Sequence, residues 1–114
     1  MHVAIVRVEL HIPQARSLKA RRAAVRPVVD GLRSRFRVAV AEVGHADLWQ
    51  RAAVGFAVVS ATAAKAAEVA DAAERWVWSH PELEVCAVER RLVGMDDDEG
   101  GALAALAPEA GEDR

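Results

Sequence analysis

The densest run of chemistry-bearing side chains is GHADLWQRA at residues 44–52. Together with Glu42 just before it, His45 and Asp47 are of types that ligate metals. Three such groups in one short stretch, without a partner motif, are a weak metal signal. Asp47 is expected to cap a turn through its side chain, and Trp49 to pack over a sheet edge. The competing expectation is a partner-binding loop made of His45, Asp47, Trp49, Gln50 and Arg51. A second pair, Glu9 and His11, stands two residues apart, and a carboxylate and an imidazole can trade protons. Catalysis also needs a pocket, a nucleophile or a cofactor, and none is indicated, so structural pairing is expected. The lone cysteine, Cys86, excludes an intramolecular disulfide and a cysteine-based zinc site, and is expected to be a buried inert thiol. No catalytic residue, metal or cofactor is expected, and an enzyme is the less favoured class.

Cations make the other pattern. Between Leu18 and Phe36, at 100° per residue, Lys19, Arg22, Arg26 and Arg33 fall within about 60° of one another on a helix. Arg16 precedes them, Arg35 and Arg37 follow, and Asp30 dilutes the stripe. Phosphate binding needs clustered cations, and the guanidinium adds a two-pronged fork. The overall charge of −2 hides an asymmetry. Residues 1–51 hold ten Arg or Lys against four Asp or Glu, residues 52–94 four against six, and residues 95–114 one against seven. A basic body with an acidic tail suits nucleic-acid contact; the plainer reading is a solvated helix face and a solubilising tail.

The elements that must position these groups follow from periodicity. Residues 3–12 alternate, with Val6, Val8, Leu10 and Ile12 opposite Arg7, Glu9 and His11, which is a half-buried strand. Pro13 ends it and Ser17 is a good N-cap. Leu18, Val25, Val28, Val29, Leu32 and Phe36 have helical spacing, with Pro27 expected to kink the helix or cost it a hydrogen bond. Strands are predicted at 38–43 and 52–59, paired as a hairpin. Thr62 caps a second helix reaching about Ser79, with Val69, Ala73, Trp76 and Val77 inward; Trp78 either shields its end or meets a partner. A fourth strand covers 83–93. The order βαββαβ predicts an α+β, ferredoxin-like domain over residues 1–94: a four-stranded antiparallel sheet in order 4-1-3-2 with two helices on one face. Residues 95–114 are expected to form an acidic disordered tail. The central strands then expose Arg7, Glu9, His11, Ala53, Gly55 and Ala57 on the open face, an expected homodimer surface. That face carries no aromatic, and Phe56 should point inward, so the base-stacking sheet of RNA-recognition domains is missing.

With 114 residues and 53% hydrophobic content, one domain with a sufficient core is expected. No apolar run nears the ~18 residues of a membrane span. Charged residues soon after Met1 argue against a leader, so a cytoplasmic protein without membrane contact is expected. LHIPQARSLKARR (10–22), VAEVGHADLWQRA (40–52) and PELEV (81–85) resemble the YlxP-like family of small bacterial proteins, a domain of unknown function numbered 503. The resemblance covers residues 1–93 and implies a ferredoxin-like fold but no catalytic residues. Genes of that family often neighbour those for translation and transcription factors, which implies a role near RNA. The resulting expectation is a non-enzymatic accessory protein. It would bind RNA, the ribosome or a ribosome-associated factor through Arg16, Lys19, Arg22, Arg26 and Arg33. The alternative is a homo-oligomeric structural or small-ligand-binding domain that uses the open sheet face.

Overall fold

The computed structural model describes residues 1–96 of the chain. Six elements follow one another: β1 (His2–His11), α1 (Leu18–Phe36), β2 (Ala39–Gly44), β3 (Arg51–Ser60), α2 (Ala63–Trp78) and β4 (Glu84–Gly94). The helix starts are those their caps dictate. Ser17 Oγ accepts from Ala20 N at 3.0 Å and Thr62 Oγ1 from Lys65 N at 3.1 Å, each satisfying one of the free N–H groups of a first turn. α1 ends where Arg37 turns left-handed (φ 55°) and donates its N–H to Arg33 O. The helix continues past Pro27 without interruption. The proline is exposed, so the carbonyl that loses its donor faces water.

All neighbouring strands are antiparallel, in the order β2-β3-β1-β4. This is the α+β, ferredoxin-like arrangement. Alternation decides the faces. Val6, Val8 and Leu10 from β1 and Val54, Phe56 and Val58 from β3 are buried together with Val25, Val28 and Leu32 of α1 and Ala66, Ala70, Ala73 and Val77 of α2. Both helices therefore cover one face. Phe56 points inward as expected. The small residues of α2 let its axis lie close to the sheet, and Arg90 of β4 ties to that helix through Asp71 (2.6 Å) and Glu74 (3.3 Å).

Cys86 is exposed, contrary to the expected buried thiol. The pairing of β4 with β1 slips between Glu9 and Leu10, which face Ala87 and Val85, and Cys86 is the extra residue of that bulge on an edge strand. The tail expected over residues 95–114 lies outside the described residues from position 97 onward. Met95 continues the pairing beyond β4, its N–H donating to Met1 O at 2.8 Å.

The two helices meet at a glycine. A Cβ on Gly31 would overlap the ring of Trp76, which also packs edge-on to Phe36 at 6.0 Å and lies beneath the Arg35 guanidinium. Gly31→Ala should therefore lower stability by about 1–3 kcal/mol despite alanine's better helix propensity. Chemical denaturation would show it as a lower midpoint at constant slope; an unchanged midpoint would mean that the helices part freely.

Candidate functional site

One end of the molecule gathers the N-terminal turn of α1, the β1–α1 connection and the loop between β2 and β3. A buried arginine joins them. Arg21 is only 3% exposed. Its Nε donates to Arg51 O at 2.9 Å, and one terminal nitrogen donates to Glu42 Oε1 at 2.7 Å and to His45 O at 3.2 Å. Both ends of the β2–β3 loop are thus tied to α1. Gln50 adds a second tie: its side-chain amide donates to Pro13 O and Ala15 O at 3.2 and 3.1 Å, and its backbone carbonyl accepts from Ile12 N at 2.9 Å. Arg21 shares the helical stripe of Val25, Val28 and Leu32. An arginine on an apolar stripe needs buried acceptors, and that was the signal that could have found it in sequence.

The turn closes through backbone. His45 adopts φ 64° and its carbonyl accepts from Leu48 N at 3.1 Å. Asp47, expected to cap this turn, makes no side-chain hydrogen bond or ion pair among the described residues, because the left-handed His45 already closes it. Trp49 is 52% exposed and Leu48 50%. Gln50 faces inward to bind the β1–α1 connection, and the indole of Trp49 is left half exposed.

On the open sheet face Glu9 is the centre of a charge network. Arg7 Nε donates to Glu9 Oε2 at 2.8 Å, His45 Nε2 lies 2.9 Å from Oε1, and Arg51 is 3.6 Å away. The Arg7 hydrogen bond holds the Glu9 carboxyl below its ordinary pKa; His45 pulls the same way and partial burial opposes both. His11 pairs with Glu84 at 2.8 Å and not with Glu9. Glu9 and His11 are thus each held by a different partner and not by one another. The imagined ligand set is split too: Glu42 bonds Arg21 on the helix side of the sheet, while His45 bonds Glu9 on the other. Among the described residues no three His, Cys, Asp or Glu groups converge as a metal site.

The rest of that face is less bare than alternation implied. Ala53 is fully buried, with Gly44 and Arg7 over it. Gly55 lies under Val43, whose Cγ1 would stand 3.1 Å from an added Cβ. Ala57 is partly exposed. Around them Ile5, Val43, Val59 and Val93 are exposed aliphatics.

Lys19, Arg22 and Arg26 are exposed along α1 and have no acidic partner among the described residues. With Ala23, Pro27 and Asp30 they line a shallow groove, and Arg22, Arg26 and Arg33 line a second one against Val40, Ala41 and Glu42 of β2. Arg33 is partly committed, to Asp30 at 3.4 Å and Val40 O at 3.3 Å, and Arg16 donates to Pro13 O. Trp78 is exposed and donates to Glu74 at 3.2 Å.

A family model described as a protein of unknown function (DUF503) matches residues 3–90. A protein of Bacillus subtilis (strain 168), called uncharacterized protein YlxP, is 32% identical over 76 residues, which is 67% of this chain and 83% of that protein.

Arg21→Met keeps the apolar stem and removes the fork. Glu42 and the Arg51 carbonyl then lose this donor and the His45 carbonyl keeps only that of Leu48 N, at a cost of about 1–3 kcal/mol. Hydrogen exchange at residues 45–50 should quicken more than exchange in α2. Equal protection in the two segments would show that Gln50 alone holds the loop.

Proposed function

From a chain that belongs to the DUF503 family, for which no reaction is described, we propose a non-enzymatic accessory protein that binds RNA, free or within the ribosome, through α1. The observation that carries this reading is the run of Lys19, Arg22 and Arg26, exposed on one helix face without acidic partners among the described residues. At 1.5 Å per residue these cations and Arg33 extend along about 21 Å of helix, room for several consecutive phosphates. Arginine forks suit phosphate oxygens, and such contacts fix position without reading bases. The side chains that could serve catalysis are instead engaged with one another, Glu9 with Arg7 and His45, and His11 with Glu84. No helix among the described residues is long and apolar enough to cross a membrane; a cytoplasmic location belongs with the RNA reading.

A second reading is favoured by a separate observation. Ile5, Val43, Val59 and Val93 leave aliphatic surface on the open sheet face, and Glu9 beside them is already neutralised by Arg7 within the chain. A second copy could cover that surface about a two-fold axis, as a self-complementary patch requires. Gly55, the natural position for a disruptive side chain, is occupied from above by Val43, so Ile5 on central β1 is the better probe.

The double substitution Arg22→Glu with Arg26→Glu should weaken RNA binding roughly tenfold or more at low salt, and reduce the slope of log affinity against log salt by about one to two. Titration by fluorescence anisotropy at several salt concentrations measures both, and unchanged binding by folded protein would refute the role of α1. Independently, Ile5→Glu should convert a dimer to a folded monomer in sedimentation equilibrium. Wild-type protein that stays monomeric at high micromolar concentration would eliminate the second reading.

A further inference from the structure

Resting on the reading of α1 as an RNA-binding face, we propose that Trp49 is the stacking platform for one unpaired base of that RNA. The ligand is then single-stranded or looped, not a continuous duplex. The indole is 52% exposed and donates no hydrogen bond among the described residues. An exposed tryptophan on a slack loop would say little, but this loop is braced on both sides. Arg21 holds the carbonyls of His45 and Arg51, and Gln50, next to Trp49, holds those of Pro13 and Ala15. A platform ordered in advance loses little conformational freedom on binding.

The same braces decide its neighbours. Ala15 is followed by Arg16, and Arg21 by Arg22, so the loop that carries Trp49 is bound to the basic end of α1. Arg16 and Gln50 both donate to the Pro13 carbonyl, at 3.2 Å each, so the Arg16 guanidinium stands beside the loop, and phosphates flanking a base stacked there would meet that end of α1. Aromatic faces take any unstacked base, while in a duplex those faces are already occupied. The open sheet supplies no aromatic of its own, since Phe56 is buried. Trp78 is exposed as well, but its indole N–H is held by Glu74; Asp47 lines the surface beside Trp49 without bonding the indole. Leu48 beside Trp49 widens the apolar surface, and an apolar protein partner is the outcome the test must separate.

The full-length chain is titrated with a short mixed-sequence single-stranded RNA, with the same sequence as a duplex, and with inorganic polyphosphate as a polyanion without bases. Wild-type protein should prefer the single strand to the duplex. Trp49→Ala should lose roughly tenfold on the single strand, the size of one base–aromatic stack, and change polyphosphate binding less than about twofold; Trp49→Phe should retain most of the affinity. In fluorotryptophan-labelled wild-type protein, the Trp49 resonance should shift with single-stranded RNA and stay in place with polyphosphate, a readout that needs no substitution at the site. If Trp49→Ala binds the single strand normally while the Arg22→Glu, Arg26→Glu protein does not, stacking is refuted and α1 remains the RNA face. Equal losses on RNA and polyphosphate also refute stacking. If wild-type protein binds neither RNA nor polyphosphate at low salt, both readings fall, and Leu48 and Trp49 are left as a protein contact.

Discussion

A single guanidinium, that of Arg21, joins the parts of this molecule that carry its surface chemistry. A charge that is 97% withdrawn from solvent costs several kcal/mol unless its hydrogens find acceptors. Here they find one carboxylate and two backbone carbonyls from both ends of the β2–β3 connection. The requirement works in both directions. Arg21 cannot stay buried unless the loop is folded onto α1, and the loop is held to α1 through the acceptors it offers Arg21. The first turn of α1, the end of β2 and the start of β3 are consequently one unit.

That unit divides the polar groups between the two sides of the sheet. On the helix side, Arg21 and Glu42 are consumed in holding the loop. On the open side, Glu9 draws in Arg7, His45 and Arg51, and the depressed pKa of its carboxyl follows from the Arg7 hydrogen bond first. His45 belongs to both systems, its carbonyl to Arg21 and its ring to Glu9. Its left-handed backbone permits this, because the reversal sends carbonyl and ring in different directions. Groups that resemble a reactive cluster in sequence are by this arrangement held in separate hydrogen-bonded contacts. Among the described residues, Lys19, Arg22 and Arg26 on the outer face of α1 are exposed and make no ion pair.

The open sheet face has a comparable split. Its end near the loop is charged and internally neutralised, and the remainder is aliphatic, with Ile5, Val43, Val59 and Val93 exposed. The slip in pairing between β2 and β3 at Glu42 and Gly44 leaves Val43 unpaired and lays it over Gly55. What reads in sequence as a strand of tiny side chains is therefore partly covered by its own neighbour.

The sequence by itself determined the element order, the two helix caps, the antiparallel sheet and the inward direction of Phe56. Each rests on local rules, period 2, period 3.6 and side-chain capping, that operate over a few residues. It also determined the basic face of α1, because helical spacing alone aligns Lys19, Arg22 and Arg26. Tertiary structure alone decided which polar groups are spent internally. Arg21 and Arg22 are neighbours of the same type, yet one is buried and the other exposed, since only the first meets acceptors supplied 21 to 30 residues further along. It likewise turned Trp49 outward, where the inward demand of Gln50 takes precedence, and placed Cys86 outside, where a one-residue bulge reverses the alternation. Such outcomes depend on contacts between segments far apart in the chain, and no short window of residues contains both partners.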